Sequence, residues 1–145
     1  MSEPLIDLGP IEAADLIPQF AAETISAFWQ DRAPLGPVDE LLDRVRRTPL
    51  GAKCPDLLAG FTKALVSRNR PATKHQDKTI GYTLIVFLTV PQNDSGMFEL
   101  IDENVFLAPP EPRAYLIDTT RPHRVWPIRG ERLAVVYYRT KEKPA

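Results

Sequence analysis

Cysteine and histidine are both scarce in this 145-residue chain: there is one cysteine, Cys54, and there are two histidines, His75 and His123. A single cysteine excludes a disulfide framework and any cysteine-based zinc centre, and fits a reducing compartment. No apolar run approaches the roughly 20 residues needed to span a bilayer. The N-terminus lacks a basic region followed by an apolar one, the mark of a secretory signal. A cytoplasmic protein without membrane contact is therefore expected. The net charge of −1 points to neither nucleic acid nor a membrane surface as partner. The sequence contains no Gly-x-Ser-x-Gly elbow, no P-loop and no dinucleotide fingerprint.

Hydrophobic residues make up 43% of the chain and charged residues 26%, as in an ordinary globular domain. One domain over 1–145 is expected, long enough to bury a core without covalent staples. Charge is unevenly spread. Residues 1–40 hold eight acids and one base, Arg32, while the remainder holds seventeen bases and eleven acids. A mildly basic second part suits an anionic small ligand, and equally an ordinary solvated surface. Fifteen prolines argue for short elements and many turns.

The first third reads as helical. Pro10 can open a helix, and Ile11, Ala14, Leu16, Phe20, Ile25 and Phe28 recur at roughly helical spacing over 11–29. Pro18 interrupts that pattern, so two pieces or a later start are expected. A second helix is expected from Pro37 to about Arg47, where Val38, Leu41, Leu42 and Val45 form one stripe. From about residue 62 the character changes. Segments 62–69, 80–89, 97–101, 104–107, 114–118, 123–126 and 131–139 are short, rich in β-branched and aromatic residues, and bounded by turn formers. The pattern predicts a mainly β protein, with a helical N-terminal layer (1–61) packed on a β-barrel core (62–140).

Two of the chemistry-bearing residues stand close together. In an extended segment residues i and i+2 share a face, so His75 and Asp77 can aim at one point. His123, in another expected strand, can close a third corner. Two imidazoles and one carboxylate on one face of a metal is the arrangement non-haem Fe(II) oxygenases use. Alone, a His-x-Asp pair is a weak signal.

Other motifs follow it in order. After Asp77 comes the strand-like run Gly81-Tyr82-Thr83-Leu84-Ile85-Val86-Phe87-Leu88-Thr89, then a polar turn, then Gly96-Met97-Phe98-Glu99-Leu100. Pro122-His123-Arg124-Val125 comes next, and Arg132 follows His123 by nine positions. This series, over roughly residues 62–140, resembles the C-terminal half of the 2-oxoglutarate/Fe(II) oxygenases, most closely the prolyl-hydroxylase-like branch. The resemblance implies a double-stranded β-helix of the jelly-roll or cupin-like kind, with His75, Asp77 and His123 as ligands of Fe(II). It implies 2-oxoglutarate and O₂ as cosubstrates, and oxidation of a C–H bond with release of succinate and CO₂. Arg132 would hold the distal carboxylate of 2-oxoglutarate, since a guanidinium offers a planar charged fork for it.

Relatives often place a hydroxyl beside that carboxylate. The aligned position here is Phe87, which has no donor; Thr83 is the better nearby substitute and Tyr82 the other. One glycine of the family's Gly-Gly-Glu-Leu turn is missing. Arg68 and Asn69, in a segment that borders the substrate in relatives, are candidates for the substrate pocket together with Tyr82. A solvated basic loop is the plainer reading of Arg68, Asn69 and Arg70, and Trp126 should pack outside the site. Asp77 favours hydroxylation over halogenation, because related halogenases lack this carboxylate. A small molecule, an amino acid or a short peptide is the expected substrate, and a homodimer is one way to cover a site with so little scaffolding. Two alternatives stay open: a cupin-type metal enzyme that does not use 2-oxoglutarate, and a non-catalytic β-barrel that serves as a binding module.

Overall fold

The computed structural model describes residues 3–20, the backbone of 25–28, and 36–140. Strands dominate it: β1 (Leu5–Pro10), β2 (Ile25–Phe28), β3 (Lys63–Arg68), β4 (Ala72–His75), β5 (Thr79–Thr89), β6 (Phe98–Leu100), β7 (Val105–Leu107), β8 (Arg113–Ile117), β9 (His123–Val125) and β10 (Leu133–Thr140). One α-helix, α1, spans Pro37–Arg47. The strands form two antiparallel sheets. The larger has the order β1-β8-β5-β10-β3-β2 and the smaller β4-β9-β6-β7.

Alternation along β5 and β10 explains the layering. Phe87, Ile85 and Ala134 turn inward and pack with Phe98 and Leu100 of the smaller sheet. Leu84, Val86, Leu133, Val135 and Tyr137 turn to the other face, where they pack with Val38, Leu41 and Val45 of α1. Each sheet residue thus serves one of two cores, as a period of two demands. The Tyr137 hydroxyl donates to the Val38 carbonyl at 2.7 Å, which ties the helix to β10.

Expectation and structure differ in two places. The helix expected over 11–29 is absent among the described residues. A single 3₁₀ turn occupies Ile17–Gln19, and strand β2 occupies Ile25–Phe28. Ile11, Leu16 and Phe20 are buried, as their spacing suggested. They enter the core from isolated turns instead, because Pro18 has no N–H to extend a ladder. The chain also begins with β1, an edge strand that the sequence does not advertise. Its alternation is broken by a bulge between Asp7 and Gly9, where Asp7 Oδ1 accepts from the Gly9 N–H at 2.8 Å. Secondly, no closed barrel forms among the described residues: two open sheets face one another. α1 and all seven strands expected after residue 62 are present, with ends shifted by two residues or fewer.

Candidate active site

β4 and β9 are neighbours in the smaller sheet, and His75 and His123 are paired across them. Asp77 lies two residues beyond β4, its backbone N–H donating to the Thr119 carbonyl at 2.9 Å. These backbone contacts bring the three side chains to one point. His75 Nε2 stands 3.4 Å from Asp77 Oδ1, and His123 Nε2 stands 3.6 Å from Asp77 Oδ2. One ligand atom from each residue lies within 4.8 Å of the others. Donors bound at about 2.0–2.2 Å to a common ion stand about 3 Å apart, so little movement separates this arrangement from a coordinated one.

The tautomers are set as well. His75 Nδ1 faces the Thr73 carbonyl at 2.7 Å, and His123 Nδ1 faces the Arg121 carbonyl at 2.8 Å. A carbonyl can only accept, so each Nδ1 carries a proton and each Nε2 is the ring nitrogen turned toward Asp77. His123 is buried and stacks on Phe98, ring centroids 5.4 Å apart. Burial pushes its pKa below the ordinary histidine value, against the opposing pull of the Arg121 carbonyl and Asp77. A neutral imidazole is the form a metal binds.

All three residues line a cavity of about 400 Å³ between the sheets. Arg132 reaches into the same cavity from the start of β10 and is only 3% exposed. Its Nε donates to the Gly96 carbonyl at 2.7 Å, and its guanidinium stands 5.7 Å from the centre of the Phe87 ring. No carboxylate pairs with it among the described residues. Burial alone pushes its pKa down to about 10. A buried cation without a counter-ion is costly unless an anion joins it.

No protein-family model matches this sequence, and no curated protein matches it. Solved structures do. A Pseudomonas putida prolyl-4-hydroxylase superposes with a TM-score of 0.64 at 16% identity, covering 97% of this chain and 95% of that one. The viral collagen prolyl hydroxylase of Paramecium Bursaria Chlorella virus-1, in complex with 2-oxoglutarate, gives 0.56 at 16% identity over 82% and 80%. A Burkholderia pseudomallei oxidoreductase of the 2-oxoglutarate–Fe(II) oxygenase family gives 0.53 at 15% identity over 73% and 59%. The fold is that of the 2-oxoglutarate/Fe(II) oxygenases. In that oxygenase fold the facing sheets form a double-stranded β-helix, the architecture expected from the motif order, here without closure.

Of the remaining residues singled out in the sequence, Arg70 lines the cavity, whereas Thr83, Tyr82, Arg68, Asn69 and Trp126 do not join its wall. Thr83 is fully buried, and its hydroxyl is bonded to that of Thr119 at 2.7 Å. It lies four residues along β5 from Phe87, so it does not meet Arg132. Tyr82 faces the opposite core and donates to the Glu3 carbonyl at 2.9 Å. Arg68 forms two hydrogen bonds to Glu131, each 3.1 Å. Asn69, at φ 54°, accepts from the Arg132 N–H at 2.8 Å and donates its own N–H to the Arg132 carbonyl at 2.8 Å. Arg68 and Asn69 thus steady the backbone beneath Arg132. Trp126 packs outside the cavity, donating to Glu99 Oε1 at 2.9 Å under the Arg124 guanidinium.

Several wall residues carried no signal of their own in the sequence, Ser67, Lys78, Thr79 and Thr119 among them. Tyr138 was predictable in part, since it shares the inward face of β10 with Arg132, Ala134 and Val136. Thr79 and Lys78 carried no pattern of their own.

Proposed function

We propose that this chain is an Fe(II)- and 2-oxoglutarate-dependent oxygenase that hydroxylates an unactivated C–H bond of a small molecule, amino acid or peptide. The observation that carries the reading is one cavity with a His-Asp-His cluster and a buried arginine that has no counter-ion among the described residues. His75 and His123, fixed through Nδ1, would bind iron through Nε2, and Asp77 would be the third ligand. Three protein ligands leave coordination positions for cosubstrates. Arg132 would hold the distal carboxylate of 2-oxoglutarate by charge-assisted hydrogen bonds. The apolar wall of Ile85, Phe98 and Ala134 would keep water from the reacting centre. Bound iron with 2-oxoglutarate and O₂ supplies the oxidising power, placing one oxygen atom on the substrate carbon and releasing succinate and CO₂. The fold shared with two prolyl hydroxylases supports this class of reaction.

The test is an anaerobic titration of the metal-free protein with Fe(II) and then 2-oxoglutarate, followed by the visible absorption of the chelate. A saturable band is expected, and His123→Ala should abolish stoichiometric iron binding. Iron binding without the band would indicate a metal enzyme of another kind. Binding of neither would indicate a barrel without catalysis.

A further inference from the structure

Arg132 accounts for one end of the cavity. The other end lies along β10, where Thr79 is paired with Thr140 and Tyr138 turns inward. At about 3.3 Å per residue the two ends are on the order of 20 Å apart. Thr79 is 7% exposed, lines the cavity, and its hydroxyl has no hydrogen-bond partner among the described residues. A buried hydroxyl left unpaired costs free energy, which a ligand group can recover. Lys78 lines the cavity beside it and is solvent-exposed, and its ammonium has no partner among the described residues.

The charge balance of the cavity points the same way. Its lining holds three permanent cations, Arg70, Lys78 and Arg132, and one carboxylate, Asp77. A divalent metal bound by Asp77, together with a dianionic cosubstrate held by Arg132, leaves the cavity neutral apart from Lys78 and Arg70. Those two charges have no counterpart in the reaction proposed above.

We propose that the primary substrate is a small carboxylate, its anionic group held by the Lys78 ammonium and the Thr79 hydroxyl at the end of the cavity remote from Arg132. This inference rests on the oxygenase reading. It adds that the substrate presents a free carboxylate rather than an internal peptide segment. Lys78 supplies the charge and Thr79 the directional bond, so a carboxylate is distinguished from its neutral amide.

The probes are a panel of three- to eight-carbon monocarboxylic acids, L-amino acids among them, each paired with its primary amide. Each is added anaerobically to the protein loaded with Fe(II) and 2-oxoglutarate. The readout is perturbation of the chelate band, with the affinity taken from its titration. At least one acid should bind, and its amide about tenfold more weakly or not at all. Lys78→Ala should cost the acid about tenfold and Lys78→Arg should restore it, with 2-oxoglutarate affinity unchanged in both. Thr79→Val keeps the shape of the side chain and removes an unpaired hydroxyl. It should weaken the acid without lowering thermal stability. Equal binding of acids and amides, no binding by any acid, or unchanged affinity in Lys78→Ala would each overturn the inference while leaving the oxygenase reading intact. Loss of 2-oxoglutarate affinity in Lys78→Ala would place the cosubstrate at this end, and would overturn the inference and the role given to Arg132 together. Absence of the chelate band in the unaltered protein would refute the oxygenase reading itself.

Discussion

Arg132 is held in its charged form at a cost. Its folded pKa, about 10, lies below the value of a solvated guanidinium. For a cation, a depressed folded value means that the charged form is destabilised by folding. The cost is present in full below pH 10, and therefore throughout the physiological range, where arginine stays protonated. Replacing the side chain with an apolar one of similar length removes that cost. Arg132→Met should raise the unfolding free energy of the ligand-free protein by about 1–3 kcal/mol, measured by chemical denaturation. The same variant should lose about a hundredfold in 2-oxoglutarate affinity while iron affinity holds. A variant that is destabilised, or that binds 2-oxoglutarate normally, would contradict the role given to this residue. His75, Asp77, His123 and Arg132 were singled out by the order of the motifs around them, and all four line one cavity. Phe87 was also legible as a departure. Its ring stands against the Arg132 guanidinium where relatives place a hydroxyl, so the carbonyl of Gly96 is the polar partner left to that arginine.

Among the elements, the β3–β4 connection does more than join two strands. Asn69 forms a reciprocal pair of backbone-directed bonds with Arg132, while Glu131 is bound by both Arg68 and Asn69. The connection is thus a clamp on the segment that carries the arginine. Asn69→Gly keeps the left-handed backbone that Asn69 adopts and removes the side-chain half of the clamp. It should weaken 2-oxoglutarate binding severalfold and leave iron binding unchanged, as judged by the chelate band. Sequence reasoning placed Asn69 near the substrate because position in the chain suggested it. The structure adds a contact with residue 132, and no local pattern encodes a pairing at that separation. The same limit hid β1 and β4. β1 is bulged and ends in proline, so its alternation is lost. β4 has four residues, three of them exposed, and shows no apolar face. β3 and the strands from β5 onward were legible because they are rich in branched or aromatic residues and bounded by turn formers.

The whole molecule separates stability from chemistry into two cores. The cluster beneath α1 holds Leu41 and Val45, both fully buried, and contains none of the cavity-lining residues. The cluster between the sheets supplies the cavity wall. Leu41→Ala should therefore cost about 2–5 kcal/mol in unfolding free energy, with affinities for Fe(II) and 2-oxoglutarate unchanged under native conditions. A parallel loss of ligand affinity would show that the two cores are coupled. The topology that creates this division was not legible from residue patterns alone; it came from motif order, whereas α1 and most strands came from periodicity. The smaller sheet has one further consequence. Its outermost strand, β4, presents His75 with 42% of its side chain exposed, while on the next strand His123 is almost wholly enclosed at 4%. A metal held by this cluster would have an inner anchor in His123 and an outer latch in His75. Such an ion would load and leave past the exposed His75, by ligand exchange at the edge of the smaller sheet, without opening either core.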